Sequence, residues 1–328
     1  MTRPPRSERG AALLTVLLLV AVMSVIAATA IERLTLATRL AANSGALDQA
    51  RAYALAAETI SIARIEDLVG RDQAKTTLAG GWNGRTQRLP IPGGLVTARL
   101  QDGGNCFNLN SLVAGQDSER LTARPLGASQ FRSLMELLGI APREAAVVAA
   151  SLADWIDSDG QTAPGGAEDD FYAKLTPSYR TPNRMLLDAS ELRAVYGVTP
   201  QIYATLRPWV CALPTTDLSP INVNTLAPEQ APLFAMLIPG QLSIDRARQM
   251  LAQRPADGYG SLVAFWALPA MAALTPNAEV TAQTKLTSRF FRLDILVELG
   301  DAEVTEQALI DAEETPARLV LRQWGEAG

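Results

Sequence analysis

The chain has 328 residues, 48% of them hydrophobic, with a formal net charge of −5, two cysteines and no histidine. Such an acidic chain lacks the basic face that nucleic-acid binding needs. Without histidine there is no imidazole base, no Ser-His-Asp or Cys-His arrangement and no imidazole zinc site, and two cysteines cannot build a thiolate cluster.

Arg3, Arg6 and Arg9 precede an uncharged run from Gly10 to Ile31. A span of about 20 apolar residues crosses the hydrocarbon core as one helix. The arginines in front hold that end in the cytoplasm and put everything beyond Glu32 outside. Two plainer readings compete: a secretory signal cut near Ala28-Thr29-Ala30, and a simple uncleaved anchor. Secretory apolar regions are shorter, roughly 7–15 residues. From Glu32 to Val69 there is no proline, and Leu34, Leu40, Leu47, Ala54, Ile62, Ile65 and Leu68 recur near helical spacing. The membrane helix is therefore expected to continue into an amphipathic stalk. Gly45 is its weak point, at about 1 kcal/mol relative to alanine.

Residues 78–94, "LAGGWNGRTQRLPIPGG", are rich in turn formers and end the helix. Residues 95–112 alternate around a turn at Asp102-Gly103-Gly104 and read as a hairpin or two short strands. A mainly helical stretch follows to about 285. In "RFFRLDILVEL", 289–299, Phe291, Leu293, Ile295, Val297 and Leu299 take one face of a strand, with Arg292, Asp294 and Glu298 on the other. "ARLVLRQW", 317–324, is a last strand. The order predicts an α+β fold: a long transmembrane and stalk helix (11–69), an antiparallel sheet from 70–112 and 286–328, and a large all-helical insertion (113–285).

"FNLNSL" (107–112) and "INVNTL" (221–226) echo one another, and each precedes a helix, a turn and a second helix. Asn108, Asn110, Asn222 and Asn224 suit side-chain capping of strand-to-helix turns. The two blocks resemble helix-hairpin-helix (SAM-like) repeats. Some such modules bind DNA phosphates, which gives a rival function: a membrane-anchored periplasmic protein binding nucleic acid or another polymer. The hairpin "IPGQLS" has one glycine and no cation before Arg246, too little for phosphate capture.

"DWIDSDGQTAPGGAEDD", 154–170, carries Asp154, Asp157, Asp159, Glu168, Asp169 and Asp170 and no lysine or arginine. Carboxylates this close repel unless a cation sits among them. Hard oxygen donors on an irregular loop suit calcium, although the EF-hand pattern is met only in part. A solvated acidic loop is the plain alternative. A two-carboxylate hydrolase is the enzymatic one, and nothing else in the chain supports it, so no catalysis is expected. Trp155, Phe171 and Tyr172 are expected to pack the loop onto the core. Cys106 and Cys211 stand before the two Asn-x-Asn elements. They form a disulfide in an oxidising compartment or remain two buried thiols; the periplasmic orientation favours the bridge.

The leader ending in Gly10, the apolar helix running into a stalk, "DWIDSDG…GAEDDFY" and "INVNT" together resemble the GspK family of type II secretion minor pseudopilins, which are type IV pilin-like. The resemblance implies cleavage between Gly10 and Ala11 by a prepilin peptidase and methylation of Ala11. Shaft-forming relatives carry glutamate as the fifth mature residue; here Thr15 stands there, as in tip subunits. It implies a calcium ion on Asp157, Asp159, Glu168 and Asp169, with Asp170 a weaker candidate. It also implies partners: the GspI- and GspJ-type minor pseudopilins, the major pseudopilin, the assembly platform and the peptidase. The location implied is the inner membrane of a Gram-negative bacterium, crossed once.

Overall fold

A computed structural model of the chain describes residues 6–115, 120–271 and 274–325, with side chains from Ala11 onward. The first five leader residues lie outside this set. Arg6–Arg71 is one unbroken helix, α1, of 66 residues, about 100 Å at 1.5 Å per residue. Among the described residues α1 is the one helix long and apolar enough to cross a membrane. Residues 11–45 are exposed along their whole length. Packing starts at Leu47, and Ala50, Ala54, Ala57 and Ile65 form the buried stripe. Leu34 and Leu40, expected on that stripe, are 66% and 61% exposed because α1 has by then left the rest of the molecule behind.

After α1 come β1 (Thr86–Ile91) and β2 (Gly94–Asp102), an antiparallel hairpin. β1 lies inside the stretch expected to be turn. It is an exposed edge strand containing Pro90, a place where a missing N–H costs the ladder nothing.

Two helical blocks follow. The first runs through β3 (Phe107–Asn108), β4 (Val113–Ala114), β5 (Thr122–Ala123), α2 (Pro125–Leu137), α3 (Pro142–Ile156), α4 (Asp169–Tyr172) and α5 (Pro200–Leu206) to β6 (Val210–Cys211). The second comprises β7 (Ile221–Asn222), α6 (Ala231–Ala235), α7 (Ile244–Ala252), α8 (Leu262–Trp266), α9 (Ala278–Gln283) and β8 (Thr284–Lys285). Each block is closed by its own ends: β3 pairs with β6 and β7 with β8, both in parallel. The stretch 95–112 is therefore two strands that do not pair with each other. Phe107, Leu109 and Leu112 are buried in the helical core, so the helical unit begins ahead of the boundary expected at 113.

The Asn-x-Asn elements do more than cap. In each, the first asparagine accepts from the second one's N–H: Asn108 from Asn110 at 3.2 Å, and Asn222 from Asn224 at 2.9 Å. The second asparagine clamps a distant backbone. Asn110 accepts from Leu186 N–H (2.7 Å) and donates to Leu186 C=O (3.0 Å). Asn224 does the same to Tyr259, at 2.6 and 3.0 Å.

The chain then returns to the sheet as β9 (Phe290–Leu299), β10 (Ala302–Asp311) and β11 (Arg318–Trp324), completing an antiparallel sheet of order β1-β2-β9-β10-β11. Phe291, Leu293, Ile295 and Val297 are buried with the stalk stripe, on the face the alternation of β9 predicts. β10 had no counterpart in the sequence reading. Its inward face is Ala302, Val304, Glu306, Ala308 and Ile310, all buried. Arg322 on β11 donates to both oxygens of Glu58 on α1, at 2.8 and 2.7 Å, and its Nε lies 3.4 Å from Glu306. Burial, and then Glu58, push the Glu306 carboxyl up to about 7.

Candidate metal centre

α3 starts on Pro142 and ends at Ile156, and Asp157 turns extended. The following loop folds back so that Asp154, Asp157 and Glu168, 1%, 4% and 4% exposed, face a common interior. Both Asp154 oxygens accept from Ala163 N–H at 3.2 Å. The turn passes so close to Asp154 that a Cβ at Gly166 would stand 2.0 Å from its Oδ2, so only glycine lets the loop close.

Asp157 Oδ1 and Glu168 Oε1 are buried with no hydrogen-bond partner. Burial, then Asp159 and Asp154, push the Asp157 carboxyl up to about 6. Burial, then Asp154 and Asp157, push Glu168 up to about 7. Asp154 is raised too, chiefly by burial. These are the marks of negative charge gathered without a counter-charge.

The other acids stand further out. Asp159 is exposed and accepts from Gln161 N–H at 2.8 Å. Asp169 turns to Thr181, accepting from its N–H (2.9 Å) and hydroxyl (2.8 Å), with Arg180 at 3.8 Å. Asp170 is exposed, without a hydrogen-bond or ion-pair partner among the described residues. Among those residues no group of three or more His, Cys, Asp or Glu side chains is arranged to hold a metal ion as it stands. The residues nevertheless fit a hard cation: an oxygen-only donor set, a closed loop, and two buried oxygens with nothing to bind. Asp154 is more central than its place in the sequence reading, and its spacing of three from Asp157 at a helix end is the signal. Thr181 and Gly166 went unremarked, and nothing in their local sequence marks them.

The aromatics pack beneath the loop. Trp155 meets Tyr172 edge-on at 5.1 Å, and Tyr172 lies 5.2 Å from Tyr179. The Tyr172 hydroxyl accepts from Tyr196 N–H at 3.0 Å. At the other end of the block Cys106 and Cys211 form a disulfide, with Cα atoms 5.8 Å apart. In the second block Arg246 donates to the Ala270 carbonyl, so the first cation after the "IPGQLS" hairpin is engaged within the fold.

Comparison with known proteins agrees with this two-block division. Two family models, both described as type II secretion system (T2SS) protein K, match residues 105–215 and 221–287. The chain is 38% identical over 322 residues to type II secretion system protein K of Pectobacterium carotovorum subsp. carotovorum, covering 97% of each. It is 36% identical over 318 residues to the Klebsiella pneumoniae protein of that name, again over 97% of each. A solved structure, the GspK-GspI-GspJ complex of the enterotoxigenic Escherichia coli type 2 secretion system, has a chain that matches with a TM-score of 0.73 and 29% identity, over 85% of this chain and 97% of that one.

Proposed function

The chain belongs to the type II secretion system protein K family and is thereby a minor pseudopilin; we propose that it sits at the tip of the secretion pseudopilus, bound to GspI- and GspJ-type subunits. The observation that carries this is α1: it is apolar from residue 11 to 31 and exposed to residue 45, and it then packs onto an α+β head. Such a helix is held in the inner membrane by its apolar face and is available to a bundle of like helices once drawn out. Thr15, whose hydroxyl bonds the Ala12 carbonyl at 2.8 Å, brings no carboxylate to a neighbour above, which suits the last subunit of a filament. The leader lies on the cytoplasmic side, a prepilin peptidase cuts after Gly10, and the head, which does no chemistry, lies in the periplasm. The assembly platform and the major pseudopilin are its further contacts.

Calcium is assigned to the acidic loop. Asp157 and Glu168 would hold it, with Asp159 and Asp169 at the rim, and its charge would compensate the carboxylates buried there. The unpartnered Asp157 and Glu168 oxygens support this.

The test is purification of the full chain from its native membrane with its partners. A mature N-terminus at Ala11 carrying one methyl group, together with co-purifying GspI- and GspJ-type subunits, is expected. A chain that begins at Met1 or Ile31 and purifies alone overturns the reading.

A further inference from the structure

The sheet face turned away from α1 is only partly covered. Between it and the first helical block lies an open cleft of about 530 Å3, within the range of about 300–1,000 Å3 typical of ligand sites. Its floor is built from two cross-strand rows. Gln101, Arg292, Leu309 and Leu321 are successive register partners across β2, β9, β10 and β11, and Arg99, Asp294, Gln307 and Gln323 form the parallel row. Leu187, Asp188 and Arg207 overhang it from the helical block.

The cleft carries Arg99, Arg207 and Arg292 together with Asp102 and Asp188, and Asp294 stands in the floor beside Arg292. The three acids are already in use, Asp294 by Arg292 at 3.3 Å. Asp102 accepts from Gly104 N–H and from the hydroxyls of Thr225 and Ser288. Asp188 accepts from Ser190 N–H at 2.8 Å and from the Gln323 amide at 3.2 Å. Arg292 donates to Gln101 at 2.7 Å and pairs with Asp294 at 3.3 Å, whereas Arg99 and Arg207 keep donors to spare. Arg99 spends only its Nε, on the Gly84 carbonyl at 3.1 Å. The Arg207 side chain makes no hydrogen bond or ion pair among the described residues; its charge acts on Asp188 through space. The cleft therefore presents the spare guanidinium donors of Arg99 and Arg207 to a polar gap, and its natural ligand is an anion.

The rest of the lining says which kind. Gln307 offers an unpaired carboxamide, matched to the N–H and C=O of a peptide backbone. Leu187 is 64% exposed at the mouth, where it can cover an apolar side chain. Guanidinium groups for carboxylates, an amide for the backbone and a leucine for an apolar residue describe one ligand. We propose that this cleft docks an extended peptide segment with alternating acidic and apolar side chains, supplied by a partner protein. The proposal rests on the chemistry of the cleft and not on the filament reading.

The test uses the full chain in detergent with its disulfide intact, and a fluorescein-labelled peptide of alternating Glu and Leu, followed by fluorescence anisotropy. Saturable binding is expected, with no binding of the matching Lys-Leu peptide. Arg207→Glu, at a side chain with no hydrogen bond to lose, should weaken binding by at least about tenfold. Leu187→Glu should also weaken it, and Arg143→Glu on the exposed start of α3 should not. No saturable binding, or equal loss with Arg143→Glu, overturns the proposal. So does displacement of the peptide by an equal concentration of inorganic phosphate, which would mark a simple anion pocket.

Discussion

Replacing Glu306 by glutamine removes one ionisable group from the seam between α1 and the sheet and changes nothing in its shape. Glu306 is fully buried beside Glu58 and Arg322, and Arg322 gives its two good hydrogen bonds to Glu58. Glu306 therefore holds its proton up to about pH 7, against 4.5 for a free glutamate. Between those values the folded chain binds a proton that the unfolded chain has lost. Stability must then fall as pH rises through that window, with no penalty below 4.5 and the full penalty above 7. Each pKa unit is worth about 1.4 kcal/mol, so the penalty is about 3 kcal/mol. Glutamine, always neutral and able to donate to Glu58 as the protonated acid does, escapes it. Urea unfolding of the full chain in detergent, followed by tryptophan fluorescence, should give E306Q and the parent similar stability at pH 4.5. At pH 8 E306Q should be the more stable by about 3 kcal/mol. A variant equally displaced at both pH values, or less stable at pH 8, would refute the reasoning.

Calcium at 100 times its Kd should raise stability by about 2.7 kcal/mol, visible as a higher melting temperature that EDTA reverses; Asp157→Asn together with Glu168→Gln should abolish the response. Gly166→Ala places a methyl group against Asp154 Oδ2, and calorimetric titration should show calcium binding weakened with the rest of the fold intact by circular dichroism. Replacing both Cys106 and Cys211 by serine removes a link across 105 residues; the urea midpoint should drop by the equivalent of about 2–5 kcal/mol, and reductant should then have no further effect. Asn224→Ala strands the Tyr259 backbone in the interior, and the loss should be about 1–3 kcal/mol, against near zero at an exposed asparagine.

Periodicity made some elements readable and physical compensation hid others. The stalk showed itself because an apolar run passes without proline into helically spaced apolar residues, and β9 because its apolar residues alternate cleanly with Arg292 and Asp294. β10 was missed because its inward face carries Glu306 between two alanines and two aliphatic residues. The partners that make this carboxylate tolerable, Glu58 and Arg322, are remote from it in sequence or on the next strand. β1 was hidden by Pro90 and its polar residues, which only an edge position permits. In the acidic loop composition showed the gathered carboxylates, but not which of them turn inward. That depends on Gly166 letting the chain close on Asp154 and on Thr181 drawing Asp169 aside. The disulfide was legible from the echo of two segments, one before each Asn-x-Asn pair.

The chain leaves the sheet at Asp102 and rejoins it at Phe290, and these two points touch: Gly103 N–H donates to the Phe290 carbonyl at 2.8 Å, and Asp102 binds the hydroxyl of Ser288. The whole helical unit is thus a side branch on a closed ring of backbone. A push or pull delivered along α1 enters the sheet through Ala50, Ala54, Ala57 and Ile65 and needs no path through the helices. In mechanical terms the stalk and sheet are a shaft with its bearing, and the helical unit is a load mounted beside it. Its bulk and shape are free to change as long as the ring stays shut.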